Sequence, residues 1–115
     1  MSKESCCWQT PQELFDELDK IHHFDIDLCA TKANSKCDFW CDDYLLNTVD
    51  DKDGGGFYLH ELIDLNAIHS GFMNPPYSCP KPFIEKAWWD SRYMKIVCLV
   101  KCDTSTKWWG TFWEY

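Results

Sequence analysis

At 115 residues, 45% of them apolar, the chain is expected to form one domain, residues 1–115, around a single core. Its formal net charge of -8 argues against a general nucleic-acid binder, because phosphate contacts need lysine and arginine. The first five residues are polar and acidic with no apolar run behind them, and no stretch nears the roughly 20 apolar residues of a membrane span, so a cytoplasmic protein is expected.

The charge is uneven. Residues 1–66 hold 15 acids and 5 bases, whereas residues 67–115 hold 4 acids and 6 bases. Any DNA-facing surface is therefore expected in the second half, near Lys81, Lys86, Arg92, Lys95, Lys101 and Lys107. The eight cysteines lack the paired CxxC spacing of a zinc ribbon, and buried, inert thiols are expected instead.

The first element is a helix over residues 11–22. Thr10-Pro11-Gln12-Glu13 reads as a capping box with proline at the first helical position. Leu14, Phe15, Leu18 and Ile21 follow at helical spacing and predict one apolar face. Phe24-Asp25-Ile26-Asp27-Leu28-Cys29 alternates apolar and acidic residues and predicts a strand ending at Ala30-Thr31. The polar stretch through Lys36 leaves room for a short helix. Phe39-Trp40 suits a short strand, residues 50–56 read as a loop, and residues 59–63 as either a helix or an irregular segment.

Gly71-Phe72-Met73 predicts a strand that must stop at Pro75-Pro76, since two prolines end ladder donation. A helix follows over residues 82–89, with Phe83, Ala87 and Trp88 as its expected inner face. Residues 94–100 form a near-continuous apolar run, suited to a strand buried on both faces. Asp103-Thr104-Ser105-Thr106 offers N-caps for a final helix carrying Trp108, Trp109, Phe112 and Trp113. The order predicts an α/β fold with a largely parallel sheet and helices on both faces. Ligands in such sheets bind beyond the carboxyl ends of strands, where residues 27–31 and 74–77 both fall.

Asn74-Pro75-Pro76-Tyr77 is suited to methylating an exocyclic amine, whose lone pair is delocalised into its ring. The Asn74 amide oxygen and the Pro75 carbonyl could each accept one amine hydrogen, which favours a pyramidal nitrogen. Proline stiffness keeps that carbonyl aimed, and Tyr77 could stack on a base flipped out of a helix. A rigid turn is the bland alternative for so short a motif.

Four blocks together resemble the phage-type DNA N6-adenine methyltransferase family (Dam-like). They are Trp8-Gln9-Thr10-Pro11, then Asp25-Ile26-Asp27-Leu28-Cys29-Ala30 with Asn34-Ser35-Lys36-Cys37, then Phe72-Met73-Asn74-Pro75-Pro76-Tyr77-Ser78, and Asp103-Thr104-Ser105-Thr106-Lys107-Trp108-Trp109. The resemblance implies a truncated Rossmann-like fold, S-adenosyl-L-methionine as methyl donor and adenine N6 in DNA as acceptor. Asn74, Pro75, Pro76 and Tyr77 would be catalytic. Trp8, Thr10 and Pro11 would form one wall of the cofactor site, and Asp27, Cys29 and Ala30 would meet the cofactor's amino-acid end. Asp42 or Asp43 would hold the ribose, and Ser78, Lys81 and Lys107 would face DNA.

Family members usually continue past the fourth block with further strands, so a second chain or a homodimer completing the sheet is a further expectation. Two other readings stand beside the enzyme. One is an inactive methyltransferase remnant that binds cofactor or a protein partner; the other is an N-methyltransferase acting on glutamine in a protein.

Overall fold

A computed structural model describes residues 10–76 and 79–99. Helix α1 spans Gln12–His22, followed by β1 (Ile26–Asp27), β2 (Phe39–Trp40), a 3-10 turn (Tyr44–Leu46), β3 (Thr48–Asp51) and β4 (Gly56–Tyr58). Then come α2 (Leu59–Asp64), β5 (Ser70–Met73), α3 (Lys81–Asp90) and β6 (Lys95–Cys98). The strands form one sheet in the order β4-β3-β2-β1-β5-β6. β2, β1, β5 and β6 are parallel, while β3 and β4 add an antiparallel edge. The sheet is mixed, and the expectation of a largely parallel one holds only for its central and β6 side.

That antiparallel edge corrects the loop expected over residues 50–56. The Asp51 carboxylate accepts the backbone N–H groups of Asp53 at 3.0 Å and Gly55 at 2.7 Å, and Gly54 adopts φ 85°. A side chain that takes up the turn's donors closes a hairpin where the apolar pattern is too short to announce one. Residues 31–36 form turns rather than a helix, with Asn34 and Ser35 both donating backbone N–H to the Thr31 carbonyl.

Strand register sorts the sheet's two faces. Trp40, Asp27, Phe72 and Val97 are register partners and share one face, onto which α1 sets Phe15 edge-on to Phe72 at 5.2 Å between ring centroids. Ile26, Leu28, Met73, Ile96 and Cys98 join Ile84 and Ala87 of α3 in the core on the other face. Helices thus cover both faces. Gly71 lies within that second layer, where an added Cβ would come within 2.8 Å of Met94 Cε and 3.1 Å of Leu28 Cδ1.

The helices start and face somewhat differently from expectation. Pro11 is the N-cap of α1 and no side chain caps it, so the expected capping box at Thr10 is not made. The Thr10 hydroxyl is bonded to Asn74 instead. Only Phe15 of α1 is buried; Leu14 and Ile21 are exposed, so the apolar stripe is used over one turn alone. On α3 the buried positions are Ile84, Ala87 and Asp90, spaced by three, which leaves Trp88 on the exposed flank. The expected final helix and Lys107 lie outside the described residues.

Asp90 is a charged residue of α3 that is buried. Tyr44 Oη donates to Asp90 Oδ2 at 2.6 Å, and Lys86 Nζ reaches the same oxygen at 2.7 Å while lying 4.1 Å from the Tyr44 ring centre. Burial first, then the Asp90 charge, pushes the Tyr44 hydroxyl well above its ordinary pKa, so it remains a donor. This cluster clamps α3 to the 3-10 turn. Tyr44→Phe is expected to lower unfolding free energy by about 1–3 kcal/mol in urea melts, because one bond to a buried charge is lost while Lys86 stays. An unchanged midpoint would show that the clamp carries no stability.

Candidate active site

The direction of chain winding reverses at β1. From β1 the chain crosses to β2 on one side, whereas β5 lies on the other side of β1 and leads outward to β6. Connections leaving the carboxyl ends of β1 and β5 therefore part, and such a parting opens a crevice between adjacent strand ends. Asp27 closes β1, and Asn74 follows β5 directly.

Asp27 is 4% exposed. Its carboxylate accepts backbone N–H groups from Cys29 at 3.4 Å and Lys36 at 3.3 Å, so residues 29–36 wrap around it. The wrap is held from both ends. Asn34 Oδ1 accepts the Thr31 N–H at 2.8 Å, and Lys36 Nζ donates to Gln12 Oε1 of α1 at 3.2 Å. Ala30 is buried and its N–H bonds the Cys41 carbonyl at 3.1 Å, joining this loop to the end of β2. Burial pushes the Asp27 carboxyl up from 3.8 to about 6, outweighing the two N–H bonds and the Lys36 charge, which pull the other way. A carboxylate held in that setting has much to gain from a cation.

Asn74 is half-buried beyond the sheet, and its Nδ2 donates to Thr10 Oγ1 at 3.0 Å. Thr10 is itself 6% exposed and lies two residues before the first residue of α1, so this bond joins the segment entering α1 to the end of β5. A residue before proline is confined to extended backbone, which keeps Asn74 in line with the strand. Pro75 is fully buried and Pro76 half-buried, and the Asn74 amide oxygen is itself buried, so the turn is firmly anchored.

Beyond β2, the neighbouring acids Asp42 and Asp43 differ. Asp43 accepts the Leu45 N–H at 3.1 Å and caps the 3-10 turn. Asp42 is exposed, and its carboxyl is raised first by desolvation and then by the Asp50 carboxyl beside it. Of the pair, only Asp42 has a carboxylate not committed to a local turn cap.

The sequence carries its own relatives. The family model for DNA N-6-adenine-methyltransferase (Dam) matches residues 1–114. The chain belongs to that family. It is also similar to a DNA N-6-adenine-methyltransferase of Haemophilus phage HP1 (strain HP1c1), with 32% identity over 108 residues, covering 88% of this chain and 53% of the relative. The chain thus spans about half the length of that relative. No solved structure matches it.

In this Dam-family chain, the expected site residues fall into three groups. Asp27, Cys29, Ala30, Thr10, Asn74, Pro75 and Pro76 gather around the ends of β1 and β5. Pro11 is exposed as the α1 cap, Asp42 is exposed beyond β2, Asp43 caps its turn, and Lys81 opens α3 on the surface. Trp8, Tyr77 and Ser78 lie outside the described residues, as Lys107 does.

Two participants escaped sequence reasoning. The Lys36 backbone on Asp27 had a signal in Asn34-Ser35, since such residues close turns through their side chains. Trp40 had none. It is a register partner of Asp27, and its buried Nε1 has no hydrogen-bond partner among the described residues. The thiols of Cys37, Cys41 and Cys98 are each pushed up to about 12, chiefly by burial, which makes them poor nucleophiles, whereas Cys79 is exposed and departs from the expected buried thiols.

Proposed function

We propose that this chain transfers a methyl group from S-adenosyl-L-methionine to the N6 amine of adenine in DNA, in the crevice between β1 and β5. The observation that carries the reading is the placement of Asn74-Pro75-Pro76 directly after β5, beside buried Asp27, at the point where winding reverses. The parallel strand order β2-β1-β5-β6, with helices on both faces, supports a Rossmann-like methyltransferase fold.

The donor set suits that cofactor. The buried Asp27 carboxylate is matched to an ammonium, and the uncapped Asp42 to ribose hydroxyls. Cys29 and Ala30 supply small side chains where the cofactor must approach the backbone. When bound, S-adenosyl-L-methionine supplies an electrophilic methyl group on a sulfonium. The protein's part is to present the nitrogen.

Asn74 Oδ1 and the Pro75 carbonyl each accept one N6 hydrogen, drawing the amine out of its ring plane so that its lone pair faces the methyl group. Both acceptors are set before substrate arrives, one by the Thr10 bond and the other by proline geometry, so little reorganisation accompanies the reaction. The amine releases its proton to water once the new N–C bond has made it strongly acidic, so no strong base is needed. Tyr77 stacks on the flipped adenine, and Ser78, Lys81 and Lys107 approach the phosphates.

Labelled cofactor offered with unmethylated DNA and, separately, with a glutamine-bearing peptide tests the reading. Label is expected in DNA, recovered as N6-methyladenine after hydrolysis. Label in the peptide alone would assign the site to protein amides.

A further inference from the structure

The geometry points to Thr10 as a positioning residue that sets the Asn74 amide plane, rather than as a wall of the cofactor site. The inference rests on the methyl-transfer reading of the Asn74 turn and deepens it. The Asn74 Cβ–Cγ torsion is broad and roughly two-fold in a free side chain, so an unrestrained amide would spread its oxygen over a wide arc. The 3.0 Å bond from Asn74 Nδ2 to Thr10 Oγ1 removes that freedom. An amide nitrogen only donates and its oxygen only accepts, so placing Nδ2 on Thr10 turns Oδ1 to the opposite branch, as the acceptor that an amine hydrogen requires.

The anchor is firm. Thr10 is 6% exposed, and the chain enters α1 immediately after it, with Phe15 N–H bonded to the Pro11 carbonyl at 3.1 Å. Phe15 then packs on Phe72 of β5, two residues before Asn74, at 5.2 Å between ring centroids. The segment that holds the hydroxyl and the strand that carries Asn74 are therefore packed together as well as hydrogen-bonded. This also explains why Thr10 does not cap α1: its hydroxyl is engaged 64 positions away in sequence.

Three proteins test the assignment: the wild type, Thr10→Val, which keeps the shape and removes the acceptor, and Thr10→Ser, which restores it. The first readout is the Asn74 side-chain amide in a nitrogen-15 spectrum, identified by its loss in Asn74→Asp. Its hydrogens are expected to exchange slowly in wild type and Thr10→Ser, and markedly faster in Thr10→Val. Rapid exchange in the wild type overturns the proposal even if Thr10→Val fails to fold.

The second readout separates rate from affinity. Thr10→Val is expected to lower kcat about tenfold, with S-adenosyl-L-methionine affinity by calorimetry within about twofold of wild type and Thr10→Ser recovering most of the rate. Weakened cofactor affinity with kcat intact would return Thr10 to the cofactor wall. If wild type is inert on DNA while the amide is protected through Thr10, the positioning role stands and the methyl-transfer reading fails. If wild type methylates DNA and Thr10→Val does so equally fast, the positioning role alone fails.

Discussion

Replacing Asn74 by alanine is expected to lower kcat for adenine methylation about 10²–10³-fold while cofactor affinity stays within a few-fold. The exocyclic amine gains nucleophilicity only when both hydrogens are drawn toward acceptors, and alanine leaves the Pro75 carbonyl to act alone. Stability should change little, because Asn74 is half-buried and donates to a threonine hydroxyl that can turn to other partners. Asn74→Asp keeps an acceptor oxygen, and the Thr10 hydroxyl can donate to a carboxylate. It is therefore expected to retain more activity than the alanine variant. Steady-state and single-turnover kinetics on one DNA duplex distinguish these outcomes. Equal rates for wild type and Asn74→Ala would remove the turn from the chemistry.

Asp27→Asn is expected to make the protein more stable at pH 8 and a poorer binder of S-adenosyl-L-methionine. Burial raises the folded carboxyl to about 6 from an ordinary 3.8. Between those values the folded chain keeps a proton that the unfolded chain has released, so stability falls as pH rises through this window and levels off above it. A shift of that size corresponds to about 3 kcal/mol of destabilisation at pH 8, which asparagine would relieve in large part. The gain should shrink to about 0.5 kcal/mol at pH 4, where the folded carboxyl is neutral and the unfolded one about half ionised. Urea melts at pH 4 and pH 8 measure it directly.

Cofactor affinity should move the opposite way. An ammonium prefers the ionised carboxylate, so wild-type affinity is expected to rise about tenfold from pH 5 to pH 7, and Asp27→Asn to weaken binding roughly 10–100-fold at pH 7. PH-independent affinity in the wild type would detach Asp27 from the cofactor.

Some of this was legible in the residues. The proline pair announced where β5 must stop, and the alternation of apolar and acidic residues announced β1, because both are written in local pattern. The core strands β5 and β6 and helix α3 were legible for the same reason, in apolar runs and a proline near the helix start. The β3–β4 edge was not: Val49 and Phe57 are too few apolar residues to mark a hairpin, and the turn is closed by the Asp51 side chain. Nor was the real use of Thr10. Its setting before Pro11 and Glu13 is an ordinary local signal for a cap, and the bond that displaces it comes from a residue distant in sequence. Asp42 and Asp43 were indistinguishable as letters, and only backbone placement shows that Asp43 is taken by its turn.

Expression of the chain in a host lacking adenine methylation, followed by sequencing that reads modified bases on the host DNA, tests the central claim most directly. N6-methyladenine should accumulate with wild type and be strongly reduced with an equally well expressed Asn74→Ala protein. Unmodified adenine throughout, despite folded wild-type protein and ample S-adenosyl-L-methionine, would contradict it.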